Sequence, residues 1–308
     1  MRSMRNSISP EHQGAAFAII SGLFYGLLGY FGMTIINANF SISNMLFWRF
    51  LVSSITLLLI LLPKLKTIRE RSGELLKTFV FGGLFYCLAA IIYFISSQYI
   101  GTGFAMVLFF TYPAIIILYN GLFCRASINK LYYIALFMII VGMVLLVDMH
   151  EFKFDMVGIG AGVLAAVFYA GYIITSKKIS LSPQTSSLMV SLSSALLCLV
   201  FAVGENSFSI PTTAYLWFNI IAVGTICTAF PILFLLEGLK RISAEKGSIL
   251  SVLEPIFVVI FGVILLGEQI NIAQTLGVII ILSGALITLL SGSLIIKKRR
   301  FKPRKTQT

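Results

Sequence analysis

A glutamate and a proline stand side by side near the middle of an apolar run long enough to cross a bilayer: SILSVLEPIFVVIFGVILLGEQ, residues 248–269, carries Glu254 and Pro255. A carboxylate in hydrocarbon costs about 2–4 kcal/mol on insertion scales. A proline inside a helix removes one backbone donor and frees the carbonyl a turn earlier, here that of Ser251. Lipid satisfies neither group, so this segment must face protein or a watery cavity. In a cavity, Glu254 can hold a substrate amine or cation, or take up a proton as the cavity alternates between two sides. It can equally be a structural acceptor met by neighbouring hydroxyls or backbone donors, and the residue types leave both readings open.

Arg49 lies only four residues into its own apolar run. Its stem can lie along apolar surface while the guanidinium reaches the outer interface. Turned inward, it would clamp a substrate carboxylate bidentately. A direct Arg49–Glu254 pair looks long by depth, because the two runs enter the membrane from opposite sides. Tyr25 and Tyr169 sit in the middle of their runs, away from interfacial belts, and can offer rings and hydroxyls to one substrate. Tyr86, Tyr93, Tyr112, Tyr119 and Asn120 add polar points, each of which singly reads as a helix-packing hydrogen bond. Enzymatic chemistry finds little to work with. His12 and His150 are the only histidines and fall outside the apolar runs, and no serine elbow meets a base. Cys87, Cys124, Cys198 and Cys227 are scattered singly, which argues against metal or disulfide. No GxxxxGK[ST] loop is present, so ATP is not expected as a direct energy source, and the reading calls for no cofactor.

The elements that must position these residues follow from composition. The chain has 308 residues, 58% of them apolar and 11% charged, with a mean hydropathy of +0.99. Spans need about 20 apolar residues each, and ten runs qualify, near 15–36, 45–62, 78–97, 103–123, 131–147, 157–175, 187–203, 216–236, 247–266 and 272–293. The first is too long for a signal-peptide core and is expected to remain as a span. The net charge of +12 is explained by placement. Of 23 Lys and Arg, all but Arg49 and Lys153 fall in alternate connections, from Arg2 and Arg5 to the tail KKRRFKPRK, whereas Asp148, Glu151, Asp155 and Glu205 occupy the opposite loops. The positive-inside rule then puts both termini in the cytoplasm, which an even number of spans satisfies. The tail reads as a topology anchor near anionic headgroups, not as a nucleic-acid site.

The chain also repeats. Gly14, Phe24 and Tyr25 recur 144 residues later as Gly158, Phe168 and Tyr169; at a shift of 142, Gly82, Leu108, Pro113, Asn129 and Gly142 match Gly224, Leu250, Pro255, Asn271 and Gly284. The unit is five spans, and an odd unit repeated once gives two halves inverted in the membrane, the architecture of secondary transporters. Pro113 and Pro255 are the paired interruptions expected at a binding site in such a protein.

These residues resemble a known family. LEPIFVVIFGVILLGEQINIAQTLGVIIILSGALI at 253–287, FFTYPAIIILYNGLF at 109–123 and WRF at 48–50 are similar to the EamA type of the drug/metabolite transporter superfamily, over essentially the whole chain. In the first copy Cys124, Arg125 and Ala126 stand where the family often has a GE-like turn. The resemblance implies an all-α integral membrane protein of ten transmembrane helices, with repeats at 1–147 and 148–293 and a basic tail at 294–308. It implies a central cavity walled by spans one, three, four, six, eight and nine, which selects Tyr25, Tyr93, Tyr112, Tyr169 and Glu254 beside Arg49 as substrate-binding candidates. It further implies a carrier in the inner membrane for a small polar metabolite, amino acids or related compounds leading. Nucleotide-like, sugar or lipid-linked cargo, a passive pore and, behind these, a membrane enzyme are the alternatives. Proton coupling through Glu254, the direction of transport and a homodimer through spans five and ten stay open.

Overall fold

Helix begins where the sequence supplies a cap. Ser9 accepts from the His12 amide and Pro10 occupies the first turn, so α1 runs Pro10–Gly26 and starts five residues before the expected span. Ser41, Asn129, Asp155, Ser182, Thr213 and Ser243 cap later helices in the same way. The computed structural model describes residues 9–28, 30–31, 35, 40–64, 70–147, 154–267 and 269–300, with 266 and 292–300 by backbone alone. Part of the expected first span, Arg2, Arg5, Lys66, Arg69, Asp148, His150, Glu151, Lys153 and the end of the basic tail lie outside these residues.

After α1 come α2 (Ile42–Leu61), α3 (Ser72–Ile100, with a π turn at Thr78–Gly82), α4 (Thr102–Phe109), α5 (Tyr112–Leu122) and α6 (Lys130–Leu146). They are followed by α7 (Met156–Lys178), α8 (Pro183–Gly204), α9 (Ala214–Leu239, with a π turn at Thr225–Ala229), α10 (Ala244–Ser251), α11 (Glu254–Leu266) and α12 (Ile272–Arg300). Among the described residues the chain is all-helical. Eight segments are long and apolar enough to cross a membrane, with α4–α5 and α10–α11 each counted as one, and α6 is a shorter apolar helix.

Two expected spans are therefore interrupted helices. The breaks fall at Phe110–Thr111 and Val252–Leu253, so Pro113 and Pro255 each sit second in a new helix. This corrects the expectation of a donor lost in mid-helix: a proline in the first turn gives up an amide that has no intrahelical partner anyway. Gly267, at φ +70°, ends α11 in the left-handed region that glycine enters without strain.

Packing joins the two halves of the chain. α1 lies against α9, α10 and α11; α7 lies against α3, α4 and α5; α2 pairs with α8, and α6 with α12. Small residues set the spacing. A Cβ at Gly22 would come 3.3 Å from the Glu254 amide nitrogen, so the α1 backbone runs directly past the second break. Gly162 does the corresponding thing at the first, where a Cβ would come 2.9 Å from Leu108. Ser21 donates to the Pro231 carbonyl at 2.8 Å and Ser96 to the Gly158 carbonyl at 2.7 Å, tying α1 to α9 and α3 to α7. Large apolar side chains such as Leu59, Phe137, Ile264 and Leu286 face outward, as a lipid-facing surface requires. Lys177, Lys240, Arg241 and Lys246 gather at one end of the bundle, called the basic end below; Asp155 and Glu205 are at the far end.

Candidate functional site

The two helix breaks, the first half of α2, the C-terminal end of α1 at Tyr25, and the middles of α3 and α7 surround one cavity. Its inner chamber, about 110 Å³, is lined by Tyr25, Arg49, Tyr86, Tyr93, Tyr169 and Glu254 with Phe94, Met106 and Phe109. It continues into an outer chamber of about 430 Å³ that shares Tyr25, Arg49, Tyr93 and Glu254 and reaches the far end at Phe40, Ser97, Gln98 and Thr102.

Glu254 opens α11, where unpaired amides and the helix dipole favour a negative group. Among the described residues its carboxylate accepts no hydrogen bond and forms no ion pair. Arg49 is only 7% exposed, so the interfacial reading of it is corrected. α2 begins at Ile42, a turn earlier than hydropathy suggests, and carries Arg49 deeper. Its Nε donates to Thr228 Oγ1 at 2.7 Å, and that hydroxyl donates in turn to the Val223 carbonyl at 2.8 Å. The π turn at Thr225–Ala229 places Thr228 there. The guanidinium lies 5.6 Å from the centre of the Phe50 ring. Arg49 and Glu254 line the same chamber without coming within 4.0 Å of one another, so the sequence expectation of no direct pair agrees with their placement. The result is a fixed cation and a carboxyl facing one space, each with hydrogen-bonding capacity to spare.

Aromatic rings form the walls. The Tyr25 and Tyr86 hydroxyls are 2.6 Å apart; Tyr169 stacks edge-on to Tyr112 at 4.7 Å and packs on Phe109 at 5.0 Å; Tyr93 packs on Phe109 at 5.3 Å. Tyr25, Tyr93 and Tyr169 thus share the chamber with Arg49 and Glu254. Tyr112 does not line it. That side chain is 1% exposed and its hydroxyl is taken by Ser251 Oγ and the Ser248 carbonyl. Sequence reasoning passed over Tyr86 as one polar point among several and had no signal for Thr228.

Nor did it foresee how the basic end is shut. Lys177 donates to the carbonyls of Leu239 and Ile242, while Lys240 reaches back to the Ile179 carbonyl at 2.8 Å. Partial burial holds Lys240 below the usual lysine range. Lys246, 4% exposed, pairs with Glu11 at 2.7 Å, and Asn120 donates to Glu245. Within the run SAEK at 243–246, Ser243 caps α10 while Glu245 and Lys246 make two of these contacts.

Comparison with known proteins agrees with this architecture. The model of the EamA-like transporter family matches residues 12–148 and again 156–290. The uncharacterized transporter YcbK of Bacillus subtilis is 26% identical over 68% of this chain and 70% of its own. YxxF of the same organism, also an uncharacterized transporter, is 23% identical over 92% of both. The pseudopaline exporter CntI of Pseudomonas aeruginosa is 22% identical over 67% of this chain and 74% of its own. A solved crystal structure superposes with a TM-score of 0.77 at 16% identity, covering 90% of this chain and 98% of that one, and so shares the fold. The two family matches together take in nearly the whole chain, and the protein belongs to the EamA-like transporter family.

Proposed function

We propose that this membrane transporter is a secondary carrier for a small zwitterionic metabolite, an amino acid or a close relative, working by alternating access. The observation that carries the reading is the pair Arg49 and Glu254, two groups of opposite character that line one chamber and leave each other unpaired. A zwitterion completes both at once. Its carboxylate meets the guanidinium fork and its ammonium meets the carboxylate, each as a charge-assisted hydrogen bond. The tyrosines and phenylalanines around them suit an apolar or aromatic side chain. In this reading the chain crosses the membrane ten times, with α4–α5 and α10–α11 each counted as one span, in two inverted five-helix repeats; the basic end is cytoplasmic, and the structure is the state open to the outside of the inner membrane.

Uptake into proteoliposomes of labelled amino acids, purine metabolites and S-adenosylmethionine, with and without the same compound preloaded, tests it. Preloading accelerates uptake by a carrier and leaves flux through a pore unchanged. Exchange confined to compounds lacking either a carboxylate or an amine removes the zwitterion from the proposal. Glu254 is in addition the proposed coupling-proton site, since it combines a titratable group with cavity access.

A further inference from the structure

Three buried side-chain polar atoms lack a hydrogen-bond partner among the described residues: Asn44 Oδ1, Tyr172 Oη and Ser176 Oγ. Asn44 is held through its other amide atom by Ser209. The remaining two stand one turn apart on α7, and the geometry closes no hydrogen bond between them. Tyr172 is fully buried and Ser176 is 6% exposed. Hydroxyls enclosed this way forfeit their hydration and gain nothing in exchange, which a folded chain tolerates when another state uses them.

Their position says which state. Tyr169 lines the inner chamber; Tyr172 and Ser176 follow it at i+3 and i+7, on the same face of α7, descending about 10 Å toward the basic end. The Tyr172 ring packs on Tyr86 at 4.9 Å and Tyr169 at 5.6 Å, so this face continues the chamber wall beneath its floor. Immediately beyond Ser176 comes the seam in which Lys177 donates to Leu239 and Ile242 while Lys240 donates to Ile179. Each lysine crosses in the opposite direction between the end of α7 and the loop joining α9 to α10. A seam of side-chain bonds to carbonyls opens without unfolding a helix, because water can replace every partner.

We propose that the Tyr172–Ser176 face of α7 is the basic-side half of the substrate path, shut here by the reciprocal lysine seam, and that its two hydroxyls receive the polar groups of the substrate once the seam parts. This rests on the carrier reading above. It assigns to α7 two successive contacts: Tyr169 on the side open here, and Tyr172 with Ser176 on the other.

The test is Ser176→Cys in a Cys124→Ser background, since Cys124 is exposed while Cys87, Cys198 and Cys227 are buried. Proteoliposomes are treated with a membrane-impermeant thiol reagent on one face at a time; labelling of Cys124 in the parent identifies the basic face. The expected result is labelling of Ser176→Cys from the basic face, several-fold faster when Lys177→Met loosens the seam. Absence of labelling from either face, in protein that exchanges substrate, overturns the proposal. Labelling in protein that exchanges none of the compounds overturns the carrier reading and leaves the opening intact. Tyr172→Phe gives a second measurement: a path hydroxyl predicts slower exchange with a melting temperature no lower than the parent's, whereas a lowered melting temperature marks a structural hydroxyl and overturns the assignment.

Discussion

Tyr112 Oη stands 2.5 Å from Ser251 Oγ, so the first residue of α5 is bonded to the last residue of α10. The two helix breaks are thereby tied to each other across the centre of the bundle, just behind Glu254. Ser251 also donates to the Ser248 carbonyl at 2.9 Å, and the Tyr112 hydroxyl approaches the same carbonyl at 3.2 Å, which makes a closed triangle of polar groups in an apolar surround. Tyr112→Phe removes the keystone and is expected to lower stability by about 1–2 kcal/mol, with coupling to Ser251→Ala in a double-mutant cycle of about 1 kcal/mol. Thermal denaturation in detergent of the four proteins measures this; additive losses would show that the bond contributes nothing.

Arg49 is positioned by Thr228, so substitutions at the two should form a graded series. Arg49→Lys keeps the charge and loses the planar fork, with half-saturation in exchange expected to rise on the order of 10–100-fold. Thr228→Val leaves the guanidinium in place but unanchored and should raise it only several-fold. Equal effects on zwitterions and on their carboxyl-esterified analogues would remove the carboxylate contact.

Glu254→Gln keeps the size of the side chain and deletes the charge and the titration. Half-saturation is expected to rise about tenfold, the loss of roughly 1.4 kcal/mol of charged contact. Uptake driven by an imposed proton gradient should vanish while exchange continues. Wild-type gradient-driven uptake with the same pH profile would exclude Glu254 as the coupling site.

Helix proximity at the site can be probed through glycine. A Cβ at Gly26 would lie 3.0 Å from the Phe257 carbonyl carbon, beside the first turns of α11, whereas one at Gly160 meets nothing within 4 Å. Gly26→Ala should cost about 1–3 kcal/mol through forced displacement of α1 from α11. Gly160→Ala should be neutral or stabilising by up to about 1 kcal/mol. Similar melting temperatures for the two variants would contradict the close approach.

The Glu11–Lys246 pair is asymmetric, with side-chain exposures of 36% and 6%. Removing the carboxylate leaves a buried ammonium with the Leu289 carbonyl, at 3.3 Å, and no counter-charge, but removing the ammonium leaves a carboxylate already in reach of water. Glu11→Gln is therefore expected to destabilise by about 1–3 kcal/mol and Lys246→Met by about 1 kcal/mol or less. Reversal of that order in thermal melts would refute the burial argument.

Much of this protein was legible in one dimension. Spans are written as apolar runs because bilayer thickness fixes their length, and Pro113 and Pro255 marked both interrupted segments to within three residues, because proline belongs to the first turn of a helix. The alternation of charge along the chain placed the described lysines and arginines, apart from Arg49, at one end. The helix ends were less legible: serine and proline caps extend α1 beyond its apolar stretch. Only the tertiary structure decided that Arg49 is held by Thr228, 179 residues away, that Tyr112 serves the breaks instead of the cavity, and that Lys177 and Lys240 lace the basic end. The reason is physical. Hydropathy records whether a residue can leave water, and lipid-facing, packed and cavity-facing positions all meet that condition; which polar groups then find one another depends on the crossing of helices distant in sequence, and those contacts leave no local pattern to read.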